Sequence, residues 1–159
     1  MKTKIAFFLT FFLSVTLSFA QSPLQPVNEE DLSLKIIARH YDLQNGVEET
    51  EWFVSEYNDE KVYIARFELD KVEKEVYYNQ YGRPIIDATI KNQIPVILLD
   101  YIGERYEKFK VVQYKKTKNL ETESSKHSVA IKTKKYGELV LDFDQYFTPT
   151  TSNSFTASN

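Results

Sequence analysis

Two histidines, scattered hydroxyls and clustered carboxylates are the groups through which this chain could do chemistry, and it has no cysteine. His40 stands beside Tyr41 and Asp42 in a stretch of helical period, where a lone imidazole reads as a surface or edge residue rather than a metal ligand. His127 falls in a polar stretch with Ser124, Ser125 and Ser128. A Ser–His–acid site would need its serine on a sharp strand-to-helix turn with flanking glycines, and no Gly-x-Ser-x-Gly run supplies one. Without cysteine there is no thiol nucleophile, thiolate-held zinc or Fe–S cluster, disulfide or lipoprotein anchor. Carboxylates cluster at Glu48, Glu49 and Glu51 and flank Phe143 at Asp142 and Asp144. Calcium takes about six to eight oxygens from a tight loop, usually with a glycine, and neither cluster has that spacing. Solvated charge is the better reading of both. The four glycines are scattered and form no phosphate cradle. The expectation is a protein that is not an enzyme and holds no metal and no cofactor.

The chain has 159 residues, 42% hydrophobic and 27% charged, an ordinary globular balance. Its first segment, residues 1–20, reads as an export signal. Lys2 and Lys4 give a positive start, residues 5–15 are apolar, and Ser18-Phe19-Ala20 puts small residues where a signal peptidase inspects the chain. The apolar run is shorter than the roughly 20 residues of a membrane-spanning helix, so cleavage after Ala20 is expected. The net charge of -3 becomes -5 without Lys2 and Lys4, and an acidic chain argues against nucleic acid as a partner. No later stretch is long and apolar enough to suggest stable membrane insertion. The compartment expected is the periplasm or the exterior.

The elements that would position any site follow from hydrophobic period. Residues 21–30, with Pro23 and Pro26, read as a flexible leader. Residues 31–44 read as a helix with Leu34, Ile37 and Tyr41 on its apolar stripe, stopped by Asn45-Gly46. Strands follow over 51–57, 61–69, 72–79 and 85–90, with turns at Asn58-Asp59-Glu60 and Asp70-Lys71. A second helix spans 94–107, its stripe formed by Leu98, Leu99, Ile102 and Tyr106, and strands return over 109–116, 128–133 and 138–143. Residues 117–127 read as a mobile loop and 148–159 as a disordered tail.

The halves overlay at a constant offset of 65 residues: Leu34, Ile37 and Tyr41 fall on Leu99, Ile102 and Tyr106, and Tyr78-Asn79-Gln80-Tyr81 falls on Phe143-Asp144-Gln145-Tyr146. The pattern predicts a repeat at 31–91 and another at 92–147. The fold class expected is α+β: two helix-plus-antiparallel-meander repeats forming one curved antiparallel sheet with the helices on one face. An apolar helix, a strand carrying Trp52, a hairpin and an aromatic strand ending at Tyr77-Tyr78-Asn79-Gln80-Tyr81-Gly82 resemble the PepSY-like repeats of secreted bacterial proteins, related to the β-lactamase-inhibitor-protein fold. In the second unit Ile94-Pro95-Val96 resembles the helix start and Asp142-Phe143-Asp144-Gln145-Tyr146 the terminal turn, although Phe147 stands where the family has glycine. The resemblance implies a non-catalytic envelope or extracellular module that binds, or inhibits, another protein.

All eleven tyrosines lie beyond residue 20. Alternation puts Val76 and Tyr78 on one strand face and Tyr77 on the other. If helices cover the first face, Tyr77 stands on an open one and is the first candidate for binding an unknown protein partner; Trp52 is the second. A small-ligand or sensor module using that open face is the alternative function.

Overall fold

The computed structural model describes residues 24–150 and, as backbone, residues 154–156. The export segment expected at 1–20 lies outside the described residues. Nine strands form one antiparallel sheet in which every strand pairs with its neighbour in sequence. Strand β1 (Gln25–Val27) precedes a 3-10 turn (Glu29–Asp31) and helix α1 (Leu34–Leu43). Strands β2 (Thr50–Tyr57), β3 (Glu60–Leu69), β4 (Val72–Asn79) and β5 (Pro84–Lys91) follow, then helix α2 (Val96–Gly103) and strands β6 (Phe109–Asn119), β7 (Ser125–Thr133), β8 (Gly137–Asp144) and β9 (Ser154–Thr156). Among the described residues no helix is long and apolar enough to cross a membrane.

Local chemistry explains the tight connections. Asn58-Asp59 and Asp70-Lys71 all have positive φ, between 51° and 62°, and each pair forms a two-residue hairpin turn. That left-handed geometry matches the twist of the flanking strands, and Asn and Asp tolerate it best. Both helices pack on the same sheet face. α1 buries Ile36 on Trp52, Ala65, Phe67, Val76 and Tyr78; α2 buries Leu98 and Ile102 on Tyr114, Val129, Ile131, Leu139, Leu141 and Phe143. Between the two clusters the same face is polar, carrying Asp87, Thr89, Lys116 and Lys118 in register.

Four expectations need correction. The α1 stripe is Ile36 and His40, not Leu34, Ile37 and Tyr41: Leu34 is 82% exposed and Ile37 only partly buried. The sequence offers two overlapping stripes at this spacing, and the sheet selects the one whose i,i+4 pair points inward. From residue 24 on, the 21–30 leader is not loose, since β1 pairs with β2 and the Glu29 carboxylate accepts hydrogen bonds from Trp52 Nε1 (3.0 Å) and Tyr41 Oη (2.9 Å). The 117–127 loop shrinks to a turn, because β6 and β7 extend into it and Asn119 Oδ1 accepts the amides of Glu121 and Thr122. Within 148–159, Thr150 N donates to Asp142 O at 2.9 Å and the β9 backbone pairs with β8.

Ile36→Ala and Ile102→Ala should each cost about 2–5 kcal/mol in urea unfolding, as cavity-forming changes do. Ile37→Ala should cost clearly less than Ile36→Ala. Equal losses at 36 and 37 would mean that the helix is turned the other way.

Candidate functional site

Tyr77 does face away from the helices, as alternation predicts, but that face is not a solvated one at this point. Tyr77 is 7% exposed and packs in a third apolar cluster with Val62, Ile64 and Ile86, flanked by Leu24, Phe53, Tyr57 and Ile85. Trp52 lies on the helix face, 3% exposed, with its ring 5.0 Å from His40. Neither ring is presented outward as an anchor, and this corrects the expectation that Tyr77 occupies an open surface. The physical reason is that the sheet buries apolar side chains on both faces, so period-two alternation separates two cores rather than core from solvent.

Beside Tyr77 lies a buried ionic network. Arg66 donates from Nε (3.1 Å) and a terminal nitrogen (2.9 Å) to one oxygen of Glu75. The other oxygen accepts from Lys115 Nζ and from Tyr77 Oη. Burial pushes the Glu75 carboxyl up, but Lys115 and Arg66 outweigh it and hold it below its ordinary range. Burial likewise pulls the Lys115 ammonium down, and the Tyr77 oxygen and Glu75 more than restore it. Lys115 is therefore a fixed cation. It supplies no base to its cross-strand neighbour Ser128, whose hydroxyl donates to Asp142 at 2.6 Å.

The histidines are core residues, which corrects both sequence readings of them. His40 is fully buried, with Nδ1 3.0 Å from Tyr78 Oη and Nε2 3.0 Å from Thr50 Oγ1, among the rings of Trp52, Phe67, Tyr41 and Tyr78. His127 is buried on β7, with Nδ1 2.8 Å from Tyr114 Oη and its ring 4.5 Å from Phe147. Burial lowers the His40 pKa to about 4 against weaker opposition from Glu29, and burial with Lys116 lowers that of His127. Glu48, Glu49 and Glu51 do meet other acids, Glu68 and Glu73, around a cavity of ≈ 480 Å³ with Arg66. Among the described residues no three His, Asp or Glu side chains converge to hold a metal.

What the structure does expose is a pair of loops. After β4, Asn79 Oδ1 accepts from the amides of Tyr81 and Arg83, both at 3.0 Å. After β8, Asp144 Oδ1 accepts from those of Tyr146 (2.8 Å) and Thr148 (2.9 Å). The backbone bonds match as well: Gly82 N to Asn79 O and Phe147 N to Asp144 O, each 3.0 Å. The left-handed residue is Gly82 in one loop and Phe147 in the other. Each loop thus holds one tyrosine outward, Tyr81 at 74% exposure and Tyr146 at 76%. Each also abuts its helix. A Cβ on Gly82 would lie 3.0 Å from Lys35 O, and Phe147 packs on the Leu98–Ile102 cluster. The helix starts add exposed aliphatics: Leu34 on α1, Val96 and Ile97 on α2. The repeated Asx-Gln-Tyr triplet is the sequence signal that could have located these tyrosines, since an Asx turn directs the residue two on away from the sheet.

Glu75→Gln should cost about 3–5 kcal/mol, because it leaves the Lys115 ammonium buried without its bonded anion and Arg66 with only the half-exposed Glu73 at 4.0 Å. Lys115→Met should cost less, because Glu75 keeps Arg66. Urea midpoints in the reverse order would mean that Lys115, not Glu75, organises the network.

The histidines set a pH dependence. The native His40 imidazole titrates near about 4 and a solvated one at 6.5, so the unfolded chain takes the proton first as the pH falls. Stability should be fully present above 6.5 and fall by about 2–3 kcal/mol towards pH 4, with His127 acting in the same direction. His40→Gln should flatten the curve between pH 6.5 and about 5, where carboxylate protonation contributes little. An unaltered pH profile in that variant would remove His40 as the cause.

No protein-family model matches this chain, and no curated protein matches it in sequence. Solved structures do share its fold. A DUF2874 family protein from Bacteroides uniformis superposes with a TM-score of 0.64 at 11% identity, covering 80% of this chain and 93% of that one. A BLIP-like protein from Bacteroides fragilis gives 0.60 at 17% identity, over 80% and 89% of the two chains. A Bacteroides eggerthii protein described as periplasmic gives 0.66 at 10% identity, over 80% and 93%. The α+β fold of this chain, one antiparallel sheet carrying two helices, is that of BLIP-like and DUF2874 proteins.

Proposed function

We propose that this protein is a non-catalytic binding module of the cell envelope or exterior, and that it engages another protein through its two Asx loops. The observation that carries the reading is the matched construction of those loops, each fixing the backbone of one largely exposed tyrosine through an Asx side chain. Rigid tyrosines give large contact area at little entropic cost, and such residues dominate binding energy when central to an interface. The anchors proposed are therefore Tyr81 and Tyr146 in place of Tyr77 and Trp52, which serve the cores. Inhibition of an envelope or extracellular enzyme is one form this binding would take.

The non-catalytic reading draws support from the state of the reactive groups. Both imidazoles are enclosed and hydrogen-bonded, and Lys115 is held protonated. A small-ligand module on the sheet face away from the helices has less behind it, because Val62, Ile64, Tyr77 and Ala88 are buried there. Export is supported by the segment at 1–20 and by one fold neighbour described as periplasmic.

The same reading takes the chain as two PepSY-like units. α1 with β2–β4 and α2 with β6–β8 support it, as do the matched loops. The offset is not constant, however. The loops match at 65 residues, while the helix N-caps Ser33 and Pro95 match at 62; two of the extra residues lie in the longer β6–β7 connection, where Tyr114 pairs with Val129 as Trp52 pairs with Ala65, and one in the longer turn before Gly137.

The test is quantitative affinity capture from envelope and culture fractions, comparing the protein with its Tyr81→Ala/Tyr146→Ala variant. A specific partner should be lost from the variant while the melting temperature stays within a degree or two, as expected for exposed sites. An identical set of captured proteins would overturn the loop reading.

A further inference from the structure

The two loop corners differ in charge. Lys35 and Arg39 are four residues apart on α1, so they share one helix face. Arg83 reaches the same place from the loop, and with Tyr81, Ala38, Asp42 and Pro84 these residues line an open cavity of ≈ 700 Å³. Three cations and one anion therefore surround this cavity, in a chain whose net charge is -3. The competing partners are weak ones. Arg39 meets Asp42 at 3.1 Å and Arg83 meets Glu121 at 3.6 Å, and all four side chains are at least half exposed. Solvated pairs of this kind contribute little and exchange readily for another carboxylate.

The corner's backbone is also closely packed. Gly82 has φ +81°, and an added Cβ would stand 3.0 Å from the Lys35 carbonyl oxygen. Only glycine lets the loop press on the helix this closely. That contact sets the separation of the loop backbone at Tyr81 and Arg83 from the helix backbone at Lys35 and Arg39 before any ligand arrives, so binding has side chains but little backbone to order. The second corner lacks the helix cations of the first, because α2 carries no lysine or arginine.

We propose that the Tyr81 corner is a binding site for an acidic peptide segment of a partner protein, with Lys35, Arg39 and Arg83 taking side-chain carboxylates and Tyr81 packing on the intervening apolar atoms. This rests on the binding-module reading above and adds the partner's chemistry at one corner. Charge complementarity favours a short discrete segment over a membrane or nucleic acid. An extended polyanion would also meet the acidic remainder of the chain, including the cavity walled by Glu48, Glu49, Glu51, Glu68 and Glu73.

The experiment is an NMR titration of the protein with capped hexaglutamate, with capped hexaglutamine, inorganic phosphate and phosphatidylglycerol vesicles as comparisons. Hexaglutamate should move the amides of Lys35, Arg39, Tyr81 and Gly82, and raising the salt from about 0.05 to about 0.3 M should weaken binding severalfold. A Lys35→Glu/Arg39→Glu/Arg83→Glu variant with an unchanged melting temperature should lose at least about tenfold in affinity, and the milder Arg83→Gln variant should lose part of it. Shifts located elsewhere, an equal response to hexaglutamine, or phosphate or vesicles displacing hexaglutamate from the same amides would overturn the proposal. A captured partner that survives charge reversal but not Tyr81→Ala/Tyr146→Ala would sink this inference and leave the binding-module reading standing.

Discussion

One carboxylate ties the halves of this sheet together. Glu75 on β4 receives Arg66 from β3 and Lys115 from β6, so its bonds span β5 as well as the strands on either side. Ala88, paired with Glu75 on β5, is fully buried and small enough to let the lysine cross above it. Elsewhere α1 and α2 stabilise separate clusters, and the helix face between them is polar. The junction therefore depends on β5 hydrogen bonding and on this network. A buried charge is expensive unless each hydrogen-bonding position is met, and here both carboxylate oxygens are occupied.

That junction also explains why the sheet is not single-sided. The Val62, Ile64, Tyr77 and Ile86 cluster lies next to the ions, on the face the helices leave uncovered. The low-dielectric setting it provides strengthens the Glu75 pairs and makes their loss costly. On the helix face, the polar groups of His40 and His127 are absorbed by tyrosine hydroxyls from the same cores. Residues that look reactive in sequence are in this way committed to holding the fold.

With the interior committed, the proposed recognition rests on the surface corners. The loops after β4 and β8 are built by the same set of Asx hydrogen bonds, yet the chemistry around them diverges. One is cationic through Lys35, Arg39 and Arg83; the other is aliphatic through Val96 and Ile97. A partner that meets both corners would need an acidic and an apolar contact in fixed relation, which is a source of specificity beyond the affinity of either.

Much of the architecture was legible because it depends on local rules. The alternation of β2–β4 and β6–β8, the left-handed Asn58-Asp59 and Asp70-Lys71 turns and the position of both helices follow from strand period, turn chemistry and the 3.6-residue repeat. The side of the strand on which Tyr77 lies was equally legible. Its burial was not, because period two tells which residues share a face and says nothing of what covers that face. The choice between the Ile36–His40 and Leu34–Ile37–Tyr41 stripes was likewise open in the sequence, since the two overlap and only docking on Trp52, Phe67 and Tyr78 selects one. The Arg66–Glu75–Lys115 network joins residues as much as 40 positions apart, and the cationic corner joins Lys35 to Arg83. No sequence period encodes such pairs. The sequence alone thus determined most of the elements and the alternation of the strands, whereas tertiary packing decided the inward stripe of α1 and which tyrosines are core and which stand exposed, because burial is a property of neighbours that only the folded chain brings together.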